Sequence, residues 1–391
     1  MRTICVFTGS RAEYGLLRPL IRAMREEPGL DLQLLVGGSH LSAGQGRTAG
    51  EIEADGNPIA ALAAVELADD SPAAVCQALG AAVQATGEAL GRLGPDILVL
   101  LGDRWEVLAA ACAAALLRIP VAHIHGGEAS FGAVDDAFRH AVTKLAHLHF
   151  VAAEAYRRRV VQLGEDPGRV FCVGALGAAG LRELTLLTRD ELSRELSLDL
   201  SGPFALVTFH PATLDTDVDA DAVQCRNLLA ALDAVPELAL VLTRAGADAG
   251  GAAVNRRLER FAAERPGRCR LFASLGQRRY VSAMRHAAVV AGNSSSGLLE
   301  APSFGVPVVN VGDRQKGRIR AANVIDCGTA REDIQAAQAR ALSPEFRACL
   351  AGMLNPVERP GTIRLIVEQL KAADLSALLK KEFHDLPDGR P

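Results

Sequence analysis

No two of the eight cysteines are spaced as CxxC, and no apolar run approaches the ~18 residues that cross a bilayer. The first absence removes the common zinc and redox motifs. Several of the cysteines sit inside apolar runs, so Cys5, Cys76, Cys112, Cys172, Cys225, Cys269, Cys327 and Cys349 read as buried thiols rather than disulfides or zinc ligands. The N-terminal MRTICVFTGSR lacks the longer apolar stretch of a signal peptide. A net charge of only -4 gives no reason to expect a nucleic-acid or anionic membrane partner. There is no HExxH and no short-period repeat. What remains is a 391-residue chain, 49% hydrophobic and 23% charged, expected to be a cytoplasmic, enzyme-sized protein. At about 150 residues per domain, two or three domains fit.

What is present is one device written twice. The run DILVLLGDR ends in Asp103-Arg104, a helical stretch WEVLAAACAAALLR follows, and IPVAHIHGGE ends in His123, His125, Gly126, Gly127 and Glu128. Two apolar runs around one helix make a βαβ unit with parallel strands about 4.8 Å apart. Both polar clusters then sit at carboxyl ends of strands, where open α/β sheets bind ligands. The same alternation predicts strands at Thr3–Thr8, Asp31–Val36 and His147–Val151, and helices at Gly15–Glu26, Pro72–Leu93 and Asp135–Ala146. It breaks among Gly174, Gly177 and Gly180, and a charged helix follows at Thr188–Leu196. It restarts at FALVTF, with further strands at Leu238–Thr243, Arg270–Phe272, Ala287–Ala291 and Val306–Val311. The expectation is an α/β protein of two Rossmann-like domains, 1–178 and 179–365. Residues 366–391 form a helix and tail that pack back on the first domain and fray from Leu386. The last helix covers about Gly361–Lys381.

In the second half, Asn293, Ser294, Ser295 and Ser296 open a helix, where free N–H groups and hydroxyls suit an anion or merely cap the helix. Glu300, one turn in, could accept hydrogen bonds from a ribose diol, and Arg314 could neutralise phosphate. The first half carries the reactive groups. Arg11, Asp103, Arg104, His123, His125 and Glu128 follow or flank strands, and Asp135 and Asp136 open a helix, one of them a candidate N-cap. Arg139, His140 and Lys144 lie on that helix. His147 and His149 alternate on a strand and read as structural. His123 and His125 on one side of an extended strand, with Asp103, could hold a metal. Without a supporting motif, a carboxylate–imidazole acid/base set is the better reading, with no metal and no cofactor.

The clusters TGSRAEYGLLRPLI, GDRWEVLAA, HIHGGE, DDAFRHAVTKLAHLHF, TFHPAT, GNSSSGLLEAPSFGVPVVN and GDRQKGR occur in this order between about residues 3 and 328. Together they resemble the hydrolysing UDP-N-acetylglucosamine 2-epimerases of the sialic-acid and nonulosonate pathways. The resemblance implies the two-domain glycosyltransferase B architecture, with the ligand in the cleft between domains. It implies elimination of UDP to a 2-acetamidoglucal, then hydration with inverted configuration at C2. Asp103, Glu128, Asp135 and His210 match or neighbour the family's acid/base and phosphate-contact motifs, with Asp103 and Asp135 the acid/base pair. Arg11, His210 and Arg314 would hold the diphosphate, with Arg104 a further substrate contact. Ser294 and Ser295 would bind phosphate, Glu300 the ribose, and the backbone near Leu275 the uracil. A homodimer or homotetramer is the family's habit.

Two departures matter. Several members carry glutamate where this chain has His125, so either His125 or Glu128 takes that role. In RAGADAGG, Gly246 stands at an expected asparagine, whose contact Arg244 could supply. The substrate implied first is UDP-N-acetylglucosamine, giving N-acetylmannosamine and UDP. The alternative is UDP-2,4-diacetamido-2,4,6-trideoxyglucose, whose apolar C6 methyl an aromatic such as Phe131 could favour. A glycosyltransferase of the same fold, or a non-catalytic nucleotide-sugar binder, are the other classes; clustered carboxylates speak against the last.

Overall fold

The computed structural model describes residues 1–41, 48–69, 71–181, 184–214, 220–246 and 250–386. Two all-parallel sheets organise them. The first holds β1 (Arg2–Thr8), β2 (Leu30–Gly37), β3 (Ala61–Ala63), β4 (Ile97–Leu101), β5 (Val121–Ile124), β6 (Leu148–Val151) and β7 (Val170–Cys172). The second holds β8 (Phe204–Thr208), β9 (Ala239–Thr243), β10 (Cys269–Phe272), β11 (Val289–Gly292), β12 (Val308–Val311) and β13 (Val324–Cys327). Strands such as ILVLL of β4 and FALVT of β8 are buried along their whole length. A parallel sheet covered by helices on both faces requires that pattern.

The orders are β3-β2-β1-β4-β5-β6-β7 and β10-β9-β8-β11-β12-β13. Each reverses once, between β1 and β4 and between β8 and β11. At such a reversal the connecting helices leave toward opposite faces and open a crevice at the carboxyl ends of the strands. The four chain segments leaving β1, β4, β8 and β11 are therefore the natural ligand positions, and they carry Arg11, Asp103, His210 and Ser294.

Several boundaries differ from expectation. The first helix runs Arg11–Glu26, four residues earlier than its apolar stripe suggests, because the Ser10 side chain accepts from Glu13 N–H (3.3 Å) and caps it. Such a cap stabilises by about 1 kcal/mol. Leu17, Leu20, Ile21 and Met24 are then fully buried. Val134 occupies the N-cap of the helix Asp135–Leu145, so neither aspartate caps it; Asp136 instead accepts from Ser130 N–H (2.5 Å). The short strands β3, β7 and β13 and the helix Glu154–Gln162 were not anticipated. The final helix is two pieces, Thr362–Ala372 and Leu375–Leu378, parted where Asp374 caps the second through Ser376 N–H (3.0 Å). Ile366, Val367 and Leu370 of the first piece join the core beneath the first helix. Arg2 donates to Leu370 O and Ala373 O across this junction. Most of the segment expected to fray lies outside the described residues. All eight cysteines are free thiols, but only Cys5, Cys225 and Cys269 are buried; Cys76 is exposed on the outer face of the helix Pro72–Leu93, and Cys349 in the turn after Pro344–Ala348. Among the described residues no helix is long and apolar enough to cross a membrane.

Candidate active site

A cavity of about 320 Å³ opens between the carboxyl edges of the two sheets. Arg11 and Arg104 reach it from the first domain. His210, Leu275, Ser294, Ser295 and Glu300 reach it from the second. A larger hollow, about 840 Å³, lies between the first helix and Thr362–Ala372. Its charges are matched among themselves, Lys371 with Glu27 and Arg364 with Glu368, and it touches neither strand reversal. The smaller space, at the carboxyl edges, is the candidate site.

The second-domain wall is built from hydroxyls and amides. Gly292 (φ 129°) passes so close to β8 that a Cβ there would lie 2.0 Å from Thr208 O. This approach lets Asn293 clamp the loop after β8: its Oδ1 accepts from His210 N–H (2.7 Å) and its Nδ2 donates to His210 O (2.8 Å). Next to it Ser294, Ser296 and Tyr280 form a chain of hydroxyls, 3.0 and 2.6 Å apart. Only Ser296–Leu299 is α-helical before a 3-10 turn, Ala301–Phe304, so the expected helix is a single turn. Pro302 forbids its regular continuation. Glu300 ends that turn, buried, and burial pushes its carboxyl up to about 7. The Leu275 side chain is buried, and its carbonyl accepts from Arg279 Nε (2.7 Å). At the departures from the family pattern, Gly246 N–H donates to His210 Nδ1 (3.4 Å) and Arg244 pairs with Glu259 (2.6 Å). Residues 247–249 of that run lie outside the described residues.

The first-domain wall is built from charge. Arg104 lies beside Glu106 (3.2 Å) and Glu13 (3.8 Å). Burial, then repulsion from Glu106, pushes the Glu13 carboxyl up to about 7 against the pull of Arg104. Deeper in, Arg139 is the hub. It is 1% exposed, bonds Asp103 Oδ2, and donates to His125 O (3.0 Å). Burial opposes its charge, but Asp103, Glu128, Asp135 and Asp136 surround it and hold the charge on. A buried guanidinium is stable only in such company. Asp103 keeps 21% of its side-chain surface exposed, and Asp135 is half-buried.

Glu128 and His125 face inward. Glu128 is fully buried with Arg318 Nη1 at 2.6 Å and Arg139 Nη1 at 3.9 Å. Burial opposes its ionisation, yet Arg318, His125 and Arg139 together hold the carboxyl far below the usual range. His125 leaves the strand with φ 68°, so it does not share a side with His123 as an extended strand would require. Its Nε2 accepts from Leu176 N–H (3.1 Å), which puts the hydrogen of a neutral ring on Nδ1. Nδ1 lies 2.8 Å from Glu128 Oε1, though out of line for a straight hydrogen bond. His123 is engaged at both nitrogens too, by Gly102 O (2.8 Å) and Thr143 Oγ1 (3.2 Å). Neither imidazole offers a metal a bare nitrogen in this arrangement.

Arg314 is set apart. Its Nη1 donates to Asn293 O (3.2 Å) from a neighbouring hollow, so it supports the serine turn from behind. Phe131 is 56% exposed and packs on Gly317, where a Cβ would come within 2.7 Å of its ring. Sequence reasoning missed Arg318, and it named Arg139 and Asn293 by place without their contacts to Asp103 and His210. Each stands inside a motif, and Arg139 lies four positions after Asp135, but a helical Asp/Arg pair usually marks a solvated face.

The profile of the UDP-N-acetylglucosamine 2-epimerase family matches residues 22–371. The chain is 37% identical over 386 residues to the GDP/UDP-N,N'-diacetylbacillosamine 2-epimerase (hydrolyzing) of Campylobacter jejuni, covering 98% of this chain and 99% of that one. It is 37% identical over 326 residues to the UDP-N,N'-diacetylbacillosamine 2-epimerase (hydrolyzing) of Legionella pneumophila, covering 83% and 85%. The UDP-GlcNAc 2-epimerase of Neisseria meningitidis, solved bound to UDP-GlcNAc, shares the fold with a TM-score of 0.79 at 17% identity, over 95% of this chain and all of that one. Two Rossmann-like domains of glycosyltransferase B type, a family profile over residues 22–371 and a relative matched over nearly its whole length agree, and the chain belongs to the UDP-N-acetylglucosamine 2-epimerase family.

Proposed function

We propose that the protein is a hydrolysing 2-epimerase of a UDP-2-acetamido sugar. The observation that carries this is a cleft lined by hydroxyls suited to a nucleoside diphosphate and by Arg11 and Arg104, with Asp103, the chain neighbour of Arg104, held outside its lining by Arg139. On this reading Glu300 takes the ribose, the Leu275 backbone the uracil, and Ser294 and Ser295 the phosphates. Arg11 and Arg104 balance the diphosphate charge and His210 holds it by hydrogen bond, with Arg314 acting on it through the serine turn.

One of Asp103 and Asp135 removes the proton at C2 as UDP leaves C1, giving the glucal. The other supplies a proton to C2 from the opposite face while water adds at C1. Glu128 and His125 stand behind this pair, fixing Arg139 and Arg318 rather than reaching for the sugar. Fixed dipoles and charges stabilise a transition state well because they need no reorganisation at the moment of reaction. The division into 1–178, 179–365 and 366–391, action as a cytoplasmic homodimer or homotetramer, and the lack of any cofactor complete the reading.

The motifs alone place UDP-N-acetylglucosamine first as substrate. The names of the two 37%-identical relatives weigh instead for UDP-2,4-diacetamido-2,4,6-trideoxyglucose. The test is incubation with each UDP-sugar in deuterated water, with NMR of the released sugar. Free UDP, a C2-inverted sugar and deuterium at C2 are expected with no acceptor present. Release of UDP only on adding an acceptor would instead mark a glycosyltransferase, and a product without deuterium would mark plain hydrolysis.

A further inference from the structure

His123 is fully buried on β5, yet both of its nitrogens are bonded to parts of the catalytic wall. Nε2 lies 2.8 Å from Gly102 O. A carbonyl only accepts, so Nε2 carries the ring hydrogen and Nδ1 is the acceptor. Nδ1 accepts from the Thr143 hydroxyl at 3.2 Å, whose single hydrogen is shared with Arg139 O at 2.9 Å. Burial pushes the imidazole down to about 3, so the ring stays neutral.

These bonds close a ring. Gly102 (φ 84°) is the turn residue before Asp103, and its N–H is held by Ile124 O at 3.0 Å. Its carbonyl goes to His123, which reaches Thr143 on the helix Asp135–Leu145. One turn back on that helix, Arg139 bonds Asp103. Gly126 closes over the same spot: a Cβ there would lie 3.0 Å from Thr143 Oγ1 and 3.1 Å from His123 Nδ1. The first histidine and first glycine of HIHGGE thus serve one contact.

We propose that His123 is a positioning residue: its imidazole ties the Gly102 turn to the helix bearing Asp135 and Arg139, and so fixes where Asp103 stands relative to Asp135. This rests on the hydrolysing-epimerase reading above. A displacement of about 1 Å between reacting groups costs about 100-fold in rate, and the imidazole adds a second tie between turn and helix beside the Arg139–Asp103 pair.

The experiment compares His123→Leu, His123→Gln and Thr143→Val. The leucine variant should lose kcat about 100-fold while KM and UDP affinity stay within about threefold. Glutamine, whose amide N–H reaches the place of Nε2, should recover kcat to within about tenfold of wild type. The valine variant should fall between them. An undiminished kcat in the leucine variant, or a glutamine variant as slow as leucine, overturns the proposal. Should the variants fail to fold, ¹⁵N NMR of the wild-type imidazole decides it. An Nε2–H ring that does not titrate between about pH 5.5 and 8 is expected, and an Nδ1–H tautomer or a titrating ring overturns it. Failure of wild-type protein to release UDP defeats the functional reading alone, since the NMR result does not depend on turnover.

Discussion

The two strand reversals occupy the same position in their sheets but are furnished in opposite ways. Around β1 and β4 stand Glu13, Asp103, Arg104, Glu106 and Arg139, most of them buried and ion-paired. Around β8 and β11 stand Thr208, Tyr280, Ser294, Ser296 and Asn293, neutral and hydrogen-bonded in a chain. Burying charge costs several kcal/mol per ion unless partners surround it. The first wall therefore has to be interlocked before substrate arrives, whereas the second can bind a ligand by re-aiming hydroxyls. The interlocking crosses the domains: Arg318 reaches Glu128 (2.6 Å), Phe131 N–H donates to Lys316 O (3.1 Å), and Ile319 N–H donates to Tyr156 OH (2.9 Å). On the proposed reading one wall serves chemistry and the other binding, and substitutions should separate the two.

The largest effect is expected at Asp103. Asp103→Asn should abolish turnover while UDP affinity, measured by calorimetry, stays within about tenfold, or about 1.4 kcal/mol. Full activity in that variant would remove Asp103 from the chemistry and blur the contrast between walls.

Next comes the buried pair. Glu128→Gln leaves Arg318 and Arg139 short of countercharge and should cost about 3–5 kcal/mol in denaturant unfolding, with loss of activity. Leucine at both 128 and 318 should cost less than the single change. If the single variant unfolds like wild type, the first wall is not held by this pair.

Glu300 sharpens the comparison from the binding side. Its folded pKa of about 7 stands above its ordinary 4.5, so the fold prefers the protonated form. Below the ordinary value both states are protonated and no penalty exists. As pH rises to about 7 the unfolded chain loses its proton first, and stability falls by up to a few kcal/mol at about 1.4 kcal/mol per unit. Glu300→Gln should flatten that slope in thermal unfolding and weaken UDP binding about tenfold. A Tm profile unchanged by the substitution would show that the carboxyl is not buried in solution.

The smallest effect is expected at Arg314, which touches the turn and not the cavity. Arg314→Ala should weaken UDP by only about fivefold, since one hydrogen bond contributes about 1 kcal/mol. A loss above about 100-fold would place its guanidinium directly on phosphate.

Much of this was readable in the residues. β1, β4 and β9 end where their runs end, because a strand covered on both faces is sharply bounded by the polar turn that follows. Edge strands carry less of that signal: β13, VIDC, is a short strand with Asp326 exposed, and it went unseen. The polar residues after each strand were legible as candidates, but their orientation was not. His123 and His125 look equivalent in HIHGGE. One stays in the strand as a neutral core bond, and the other turns through a positive φ to meet Glu128 and Leu176.

Local periodicity thus determined the alternation of strands and helices, and with it that polar groups would gather at two sheet edges. It could do so because apolar repeat lengths depend only on near neighbours in the chain. Which groups lie bare to a ligand and which are consumed in holding the wall was decided by the tertiary structure. Asn293 holds His210 across 83 positions, and Arg318 holds Glu128 across 190. The first depends on how β8 and β11 pair within one sheet and the second on how the two domains dock, and both are properties of packed surfaces that no local pattern records.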